Sequence, residues 1–172
     1  MKKREEINSY RIGLIGNSEG AIIVPMVAVK DSSIIAIVLM AGPATRGDAI
    51  EDFQKGTGWR SSAVSMNEWQ EFFIEYDPLS TAEMVKCPVL ILHGDQDELV
   101  PIGHANLLAE AIRGGGNQDV TVKIFQGYNH GFINSEEANK KEKAGKPISE
   151  IVKISPDVIN FISEWIVAKL TL

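Results

Sequence analysis

Cysteine is almost absent. Cys87 is the only one in 172 residues, which excludes an intramolecular disulfide and a zinc site built on several thiolates. No apolar run approaches the roughly 18–20 residues that a membrane-spanning helix needs. The amino terminus, Met1 to Glu6, is charged with no apolar stretch behind it, and does not read as a signal peptide. With the lone thiol, that pattern leads us to expect a reducing, cytoplasmic setting. Cations are also short, 17 Lys and Arg against 23 Asp and Glu for a net charge of −6, so a nucleic-acid backbone is a poor partner. Internal repeats and low-complexity tracts are missing as well. What remains is ordinary globular material, 44% hydrophobic and 23% charged, of a length suited to one domain.

Short apolar runs alternate with helix-like stretches along the chain. Arg11–Ile15, Ile34–Leu39, Pro88–His93 and Val120–Phe125 read as strands. Between and after them, 19–30, 103–113 and 156–170 carry helical apolar spacing. Pro25 falls inside the first helix and should kink it. Strands without polar alternation, separated by helices, predict an α/β three-layer sandwich around a parallel sheet of about four strands. Ligands of such sheets gather at the carboxyl ends of the strands. Two stretches break the alternation. Residues 43–86 hold Trp59, Trp69, Phe72, Phe73 and Tyr76 with a weak helical segment at 66–76, and read as a reduced, cap-like insertion. Residues 134–153 are rich in Lys and Glu and read as a mobile surface loop.

The residues just after each strand are the informative ones. After the first comes Gly16-Asn17-Ser18-Glu19-Gly20 and then a helix. A serine on such a tight turn is held in a strained backbone with its hydroxyl projecting from the sheet, and glycine is expected on both sides where the turn is crowded. The plainer reading makes Ser18 a simple cap for the helix, with Glu19 in its first turn. The third strand runs into His93-Gly94-Asp95-Gln96-Asp97-Glu98, offering Asp95, Asp97 and Glu98 as acids that could orient a histidine. Asp95 could equally bond backbone N–H groups of its turn. The fourth strand leads to His130 between Asn129 and Gly131, placed to take a proton from Ser18 and return it to a leaving group. His93 is expected to pack or to support the site from behind, and His104 to be solvated early in its helix. Nucleophile, acid and base thus follow successive strands in the order of a Ser-Asp-His triad.

These motifs resemble the carboxyl-terminal part of an α/β-hydrolase-fold serine hydrolase, in the bacterial esterase and acyl-peptidase-like group. The likeness runs through Arg11–Gly20, Met40-Ala41-Gly42-Pro43, Tyr76-Asp77-Pro78, Val85–Leu90, Gly94–Pro101, Gly115–Val120 and the segment around His130. It implies Asp97 as the acid and His130 as the base, with the N–H of Glu19 as one oxyanion donor. It also implies a nucleophile strand with neighbours on both sides, whereas only about ten residues precede the first strand here. A sheet that began there would leave an apolar edge open to self-association, and the chain would lack the loop that supplies the second oxyanion donor. Losing one such donor costs about 10²–10³ in rate. A partner chain, or an N–H from the 43–60 region, could restore it.

The expectation is a serine hydrolase cleaving small carboxylic esters through an acyl-enzyme on Ser18, with thioesters or peptides less favoured and no metal or organic cofactor. Trp59, Trp69 and Phe72 would line an acyl pocket or simply pack over the strand ends. Activity should fall as the base takes up a proton, near the ordinary imidazole value of about 6.5. The rival expectation is a catalytically weak or silent fragment that associates through its first strand.

Overall fold

A computed structural model describes residues 8–58, 68–147 and 153–170. Four strands form one sheet in the order β1-β2-β3-β4, and every adjacent pair is parallel. They are β1 (Ile12–Asn17), β2 (Ile34–Met40), β3 (Val89–Gly94) and β4 (Val120–Phe125). The helices are α1 (Gly20–Ala28), α2 (Gly47–Gly56), α3 (Glu68–Glu75), α4 (Pro78–Ala82), α5 (His104–Gly114), α6 (Ser135–Lys143) and α7 (Pro156–Leu170).

Side chains of a strand alternate between faces, and both faces of β2 and β3 are apolar. Ile37, Leu39, Val89 and Ile91 enter one core with Ala21 and Val24 of α1 and Ala105, Leu108 and Ile112 of α5. Val38, Met40, Leu90 and Leu92 enter the other with Phe125, Phe132 and Val158 and Ile162 of α7. The three layers follow from this double burial, as the unbroken apolar runs predicted.

Among the described residues, β1 pairs with β2 alone. Ile15 pairs with Val38 of β2, yet Val38 is buried while Ile15 is 53% exposed. On α1, Ile23 and Val27 are also exposed, and with Glu19, Met26 and Lys30 they line a shallow groove. Among the described residues, exposed apolar side chains thus lie along β1 and α1.

The structure corrects the reading of 134–153 as a loop, because 135–143 is a helix. Its stability is local: the Asn134 side chain accepts from the Glu137 N–H at the start, and Lys140 pairs with Glu136 one turn away at 2.6 Å. None of its residues is buried, so apolar periodicity had nothing to report. In the 43–86 segment, the expected helix at 66–76 corresponds to α3. α4 was not anticipated; Asp77 caps it by accepting from the Leu79 N–H, and Pro78 opens its first turn. Pro25 lies inside α1, which carries on to Ala28.

Candidate active site

The carboxyl ends of the strands bring three loops together. Ser18 follows β1 with φ +55°, in the left-handed region that a residue with a Cβ enters at a cost of about 1–2 kcal/mol. Its N–H is held by the Met40 carbonyl of β2 at 2.8 Å, and its own carbonyl accepts from Ala21 N–H at 2.9 Å. The turn is therefore fixed at both ends by backbone. Ser18 does not act as a helix cap; no side chain caps α1.

The two glycines of the turn differ. A Cβ on Gly16 would lie 2.1 Å from the Gly20 carbonyl oxygen and 2.8 Å from Val24, so nothing larger fits there. A Cβ on Gly20 would meet nothing within 4 Å. The expectation that both positions require glycine is corrected: Gly16 needs it to let the turn close on the Gly20 backbone, and Gly20 does not.

The acid loop after β3 and the histidine loop after β4 are laced together. Asp95 N–H bonds the Phe125 carbonyl at 3.1 Å and Gln96 N–H bonds the Tyr128 carbonyl at 2.9 Å. The Asp95 carboxylate accepts from the Gly127 N–H at 2.6 Å. Gly94 allows this approach, since a Cβ there would lie 2.2 Å from the Tyr128 carbonyl oxygen. Asp95 thus bonds backbone, as one reading had it, but the backbone of the neighbouring loop.

Asp97 meets His130. Its Oδ2 lies 2.8 Å from His130 Nδ1, and its Oδ1 accepts from Leu99 N–H at 2.8 Å and Val100 N–H at 2.9 Å. The carboxylate is fully buried and the imidazole 17% exposed. Burial alone would raise the Asp97 carboxyl; the hydrogen bonds from His130, His93 and Val100 outweigh it and hold the group well below the usual carboxylate range. An ionised Asp97 only accepts, so His130 carries its proton on Nδ1 and keeps Nε2 free as a base. Among the hydrogen bonds of the described residues, none joins the Ser18 hydroxyl to His130. Such bonds are often long until substrate is bound.

The histidine loop has its own supports. Asn129 Oδ1 accepts from Gly131 N–H and Ile133 N–H, Phe132 is fully buried with φ +55°, and the Tyr128 hydroxyl donates to Asp157 at the start of α7.

His104 departs from expectation. Far from being solvated, it is buried at the start of α5, and its Nδ1 accepts the Ala44 N–H at 3.0 Å. Burial, reinforced by nearby His93 and opposed by Asp97, pushes its imidazole down to about 4. Sequence could have found it, because residues 104, 108 and 112 form one helical stripe with Leu108 and Ile112. This bond also occupies the Ala44 N–H, and the Ala41 N–H is taken by the Leu92 carbonyl; neither is available as a second oxyanion donor.

The aromatic candidates divide. Trp59 lies outside the described residues. Trp69 falls on α3, and a pocket role for it lies outside the described side chains. Phe72 stacks on Tyr76 with ring centroids 5.0 Å apart, and Tyr76 meets the Thr81 hydroxyl of α4. Glu19 begins α1 with its carbonyl accepting from Ile22 and Ile23. From the same insertion, Gln54 and Thr57 of the α2 end donate to the Leu99 and Glu98 carbonyls, holding α2 against the acid loop.

The chain is similar in sequence and in fold to known proteins. The profile of the prolyl oligopeptidase family matches residues 1–145. A non-heme chloroperoxidase of Burkholderia pyrrocinia is 32% identical over 76 residues, 44% of this chain and 26% of that protein. An esterase of Pyrococcus furiosus superposes with TM-score 0.56 at 20% identity, covering 78% of this chain and 52% of that one. An acylaminoacyl peptidase of Pyrococcus horikoshii superposes with TM-score 0.51 at 19% identity, covering 72% of this chain and 20% of that one. The sheet and helices are those of the α/β-hydrolase fold. The chain spans about a quarter of the curated relative and between a fifth and a half of these solved structures. Among the described residues, no helix is long and apolar enough to cross a membrane.

Proposed function

Because the chain belongs to the prolyl oligopeptidase family, we propose that it is a serine hydrolase acting on small carboxylic esters, with Ser18 as nucleophile, His130 as base and Asp97 as acid. The observation that carries this reading is the 2.8 Å contact between Asp97 and His130, 33 residues apart, which joins the loop after β3 to the loop after β4 at the same end of the sheet as Ser18. In the reaction Ser18 Oγ attacks the acyl carbonyl while His130 Nε2 takes its proton. The tetrahedral adduct collapses as the proton passes to the departing alcohol oxygen, leaving an acyl-serine. Water then attacks the acyl carbon, His130 takes its proton and returns it to Ser18, and the carboxylic acid leaves. Asp97 keeps the imidazole oriented and stabilises its charged form. The Glu19 N–H serves the oxyanion. Esters are favoured over peptides because amide cleavage asks more of an oxyanion site for which one donor is identified. Phe72, with Trp59 and Trp69, would contribute to the acyl side.

Labelling with a fluorophosphonate, read by intact mass and peptide mapping, tests this. One adduct on Ser18, absent from Ser18→Ala and slowed in His130→Ala, is the expected result; folded protein that takes no label overturns it. A second panel of p-nitrophenyl esters and peptide p-nitroanilides separates ester from amide preference.

The exposed edge favours a second reading, in which the chain self-associates through β1. Ile15, Ile23 and Val27 are exposed along that edge, and the groove has Glu19 just before α1 at one end and Lys30 and Asp31 just after it at the other. An antiparallel pair of α1 helices would set Ile23 and Val27 against the same residues of the partner, which suits a two-fold contact. Light scattering should then show a dimer that Ile15→Lys dissociates; a strict monomer at all concentrations refutes it.

A further inference from the structure

The reaction above leaves one buried imidazole unused. His93 is the penultimate residue of β3, with no solvent exposure, and its Nε2 lies 3.1 Å from Asp97 Oδ2 and 3.0 Å from the Val100 carbonyl oxygen. A carboxylate and a carbonyl only accept, so Nε2 carries the proton and shares it between them. The opposite nitrogen, Nδ1, is buried without a hydrogen-bond partner. A bare buried nitrogen is unfavourable, and a leucine would fill the space without it. The histidine is therefore accounted for by what Nε2 does.

That contact completes the cradle around Asp97. Oδ1 is pinned by the Leu99 and Val100 N–H groups, while Oδ2 receives His93 on one side and His130 on the other. Three of the four donors come from 93–100, the same stretch of chain as Asp97 itself, so the carboxylate plane is fixed before His130 reaches it. The His93 N–H also draws negative charge away from the oxygen that faces His130.

We propose that His93 is a positioning residue for the acid, setting the orientation and the charge that Asp97 presents to His130 through the bond from His93 Nε2 to Asp97 Oδ2. This inference rests on the Ser18–Asp97–His130 reading. The titratable groups coupled to it are Asp97 in its own loop, His130 from the loop after β4, and His104 from α5, which feels both His93 and Asp97.

The test compares fluorophosphonate labelling rates of the whole chain, His93→Leu and His93→Gln, across pH 5–9. His93→Leu should lower the limiting rate about tenfold. It should also move the acid limb to higher pH, because Asp97 then keeps more of its charge for the protonated imidazole. His93→Gln, whose amide nitrogen can stand near Nε2, should recover most of the rate with the limb at its wild-type position. A packing role alone would slow both variants by reducing the folded fraction and leave the limb where it was. His93→Leu that labels at the wild-type rate with an unmoved limb overturns the proposal while the triad reading stands. Wild type that takes no label overturns both. Should His93→Leu fail to fold, nitrogen-15 NMR of histidine-labelled wild type decides. A His93 Nε2 proton in slow exchange, with bare Nδ1, supports the assignment; an unprotonated Nε2 overturns it.

Discussion

Acidifying the folded protein from pH 7 to pH 4 sets His104 against its surroundings. Its Nδ1 accepts the Ala44 N–H at 3.0 Å, and its imidazole is pushed down to about 4 by burial and by the neighbouring His93. In the unfolded chain the same side chain titrates near 6.5. Between these two values the unfolded state binds a proton that the folded state refuses, so stability is complete above about pH 6.5 and falls as the pH drops. At about 1.4 kcal/mol per pH unit, the loss from this one residue reaches about 3 kcal/mol at pH 4 and levels off below it. Urea unfolding followed by circular dichroism at pH 7, 6, 5 and 4 measures it. The control is His104→Asn, whose Oδ1 can accept the Ala44 N–H without titrating. The variant should be less stable at pH 7, from lost packing, and should close most of that gap by pH 4. Titrating groups that do not interact with His104 cancel in the difference between the two curves, which leaves His104 with the His93 and Asp97 charges it feels. Curves that stay parallel from pH 7 to 4 would refute the reasoning.

Other outcomes follow from contacts already described. Gly16→Ala should cost more than about 3 kcal/mol in thermal or urea unfolding, because its Cβ would lie 2.1 Å from a backbone oxygen. Gly20→Ala should be neutral or add up to about 1 kcal/mol, having open space and a better helix former. Asp97→Asn should slow Ser18 labelling by about 10³–10⁴ by failing to hold the Nδ1–H form of His130, while far-ultraviolet circular dichroism stays unchanged. Tyr128→Phe removes the bond to Asp157 and should cost about 1–2 kcal/mol of unfolding free energy.

How much of this was legible in sequence depended on whether the residues spoke through pattern or through partners. The four strands announced themselves because both faces of β2 and β3 are buried, which writes unbroken apolar runs such as Ile34–Leu39. The elbow was legible because its strain needs glycine, though sequence alone assigned that need to Gly20 as well as Gly16. A choice between Asp95 and Asp97 could not be made from spacing, since both sit in one turn two residues apart; the family resemblance pointed to Asp97, and the fold shows Asp95 reaching Gly127 and Asp97 reaching His130. α6 was hidden because ion pairs and a cap support it, with no apolar face to count. His104 was misread because a histidine was weighed as a polar residue at a helix start, when the stripe it shares with Leu108 and Ile112 was the better guide.

The lacing of the two loops sets how the site would wear under stress. Asp97 and His130 are carried by neighbouring strands, β3 and β4, whose loops exchange three backbone-anchored bonds. Ser18 follows β1, which among the described residues pairs with β2 alone. Asp97 and His130 are therefore held as one laced unit, and Ser18 is tied to β2; β2 pairs with β1 over six positions and with β3 over four, so the thinner seam lies between β2 and β3. Heat or denaturant that loosens this seam would separate Ser18 from an intact Asp97–His130 pair, so under the proposed function labelling of Ser18 would be lost while the two halves of the sheet were still folded.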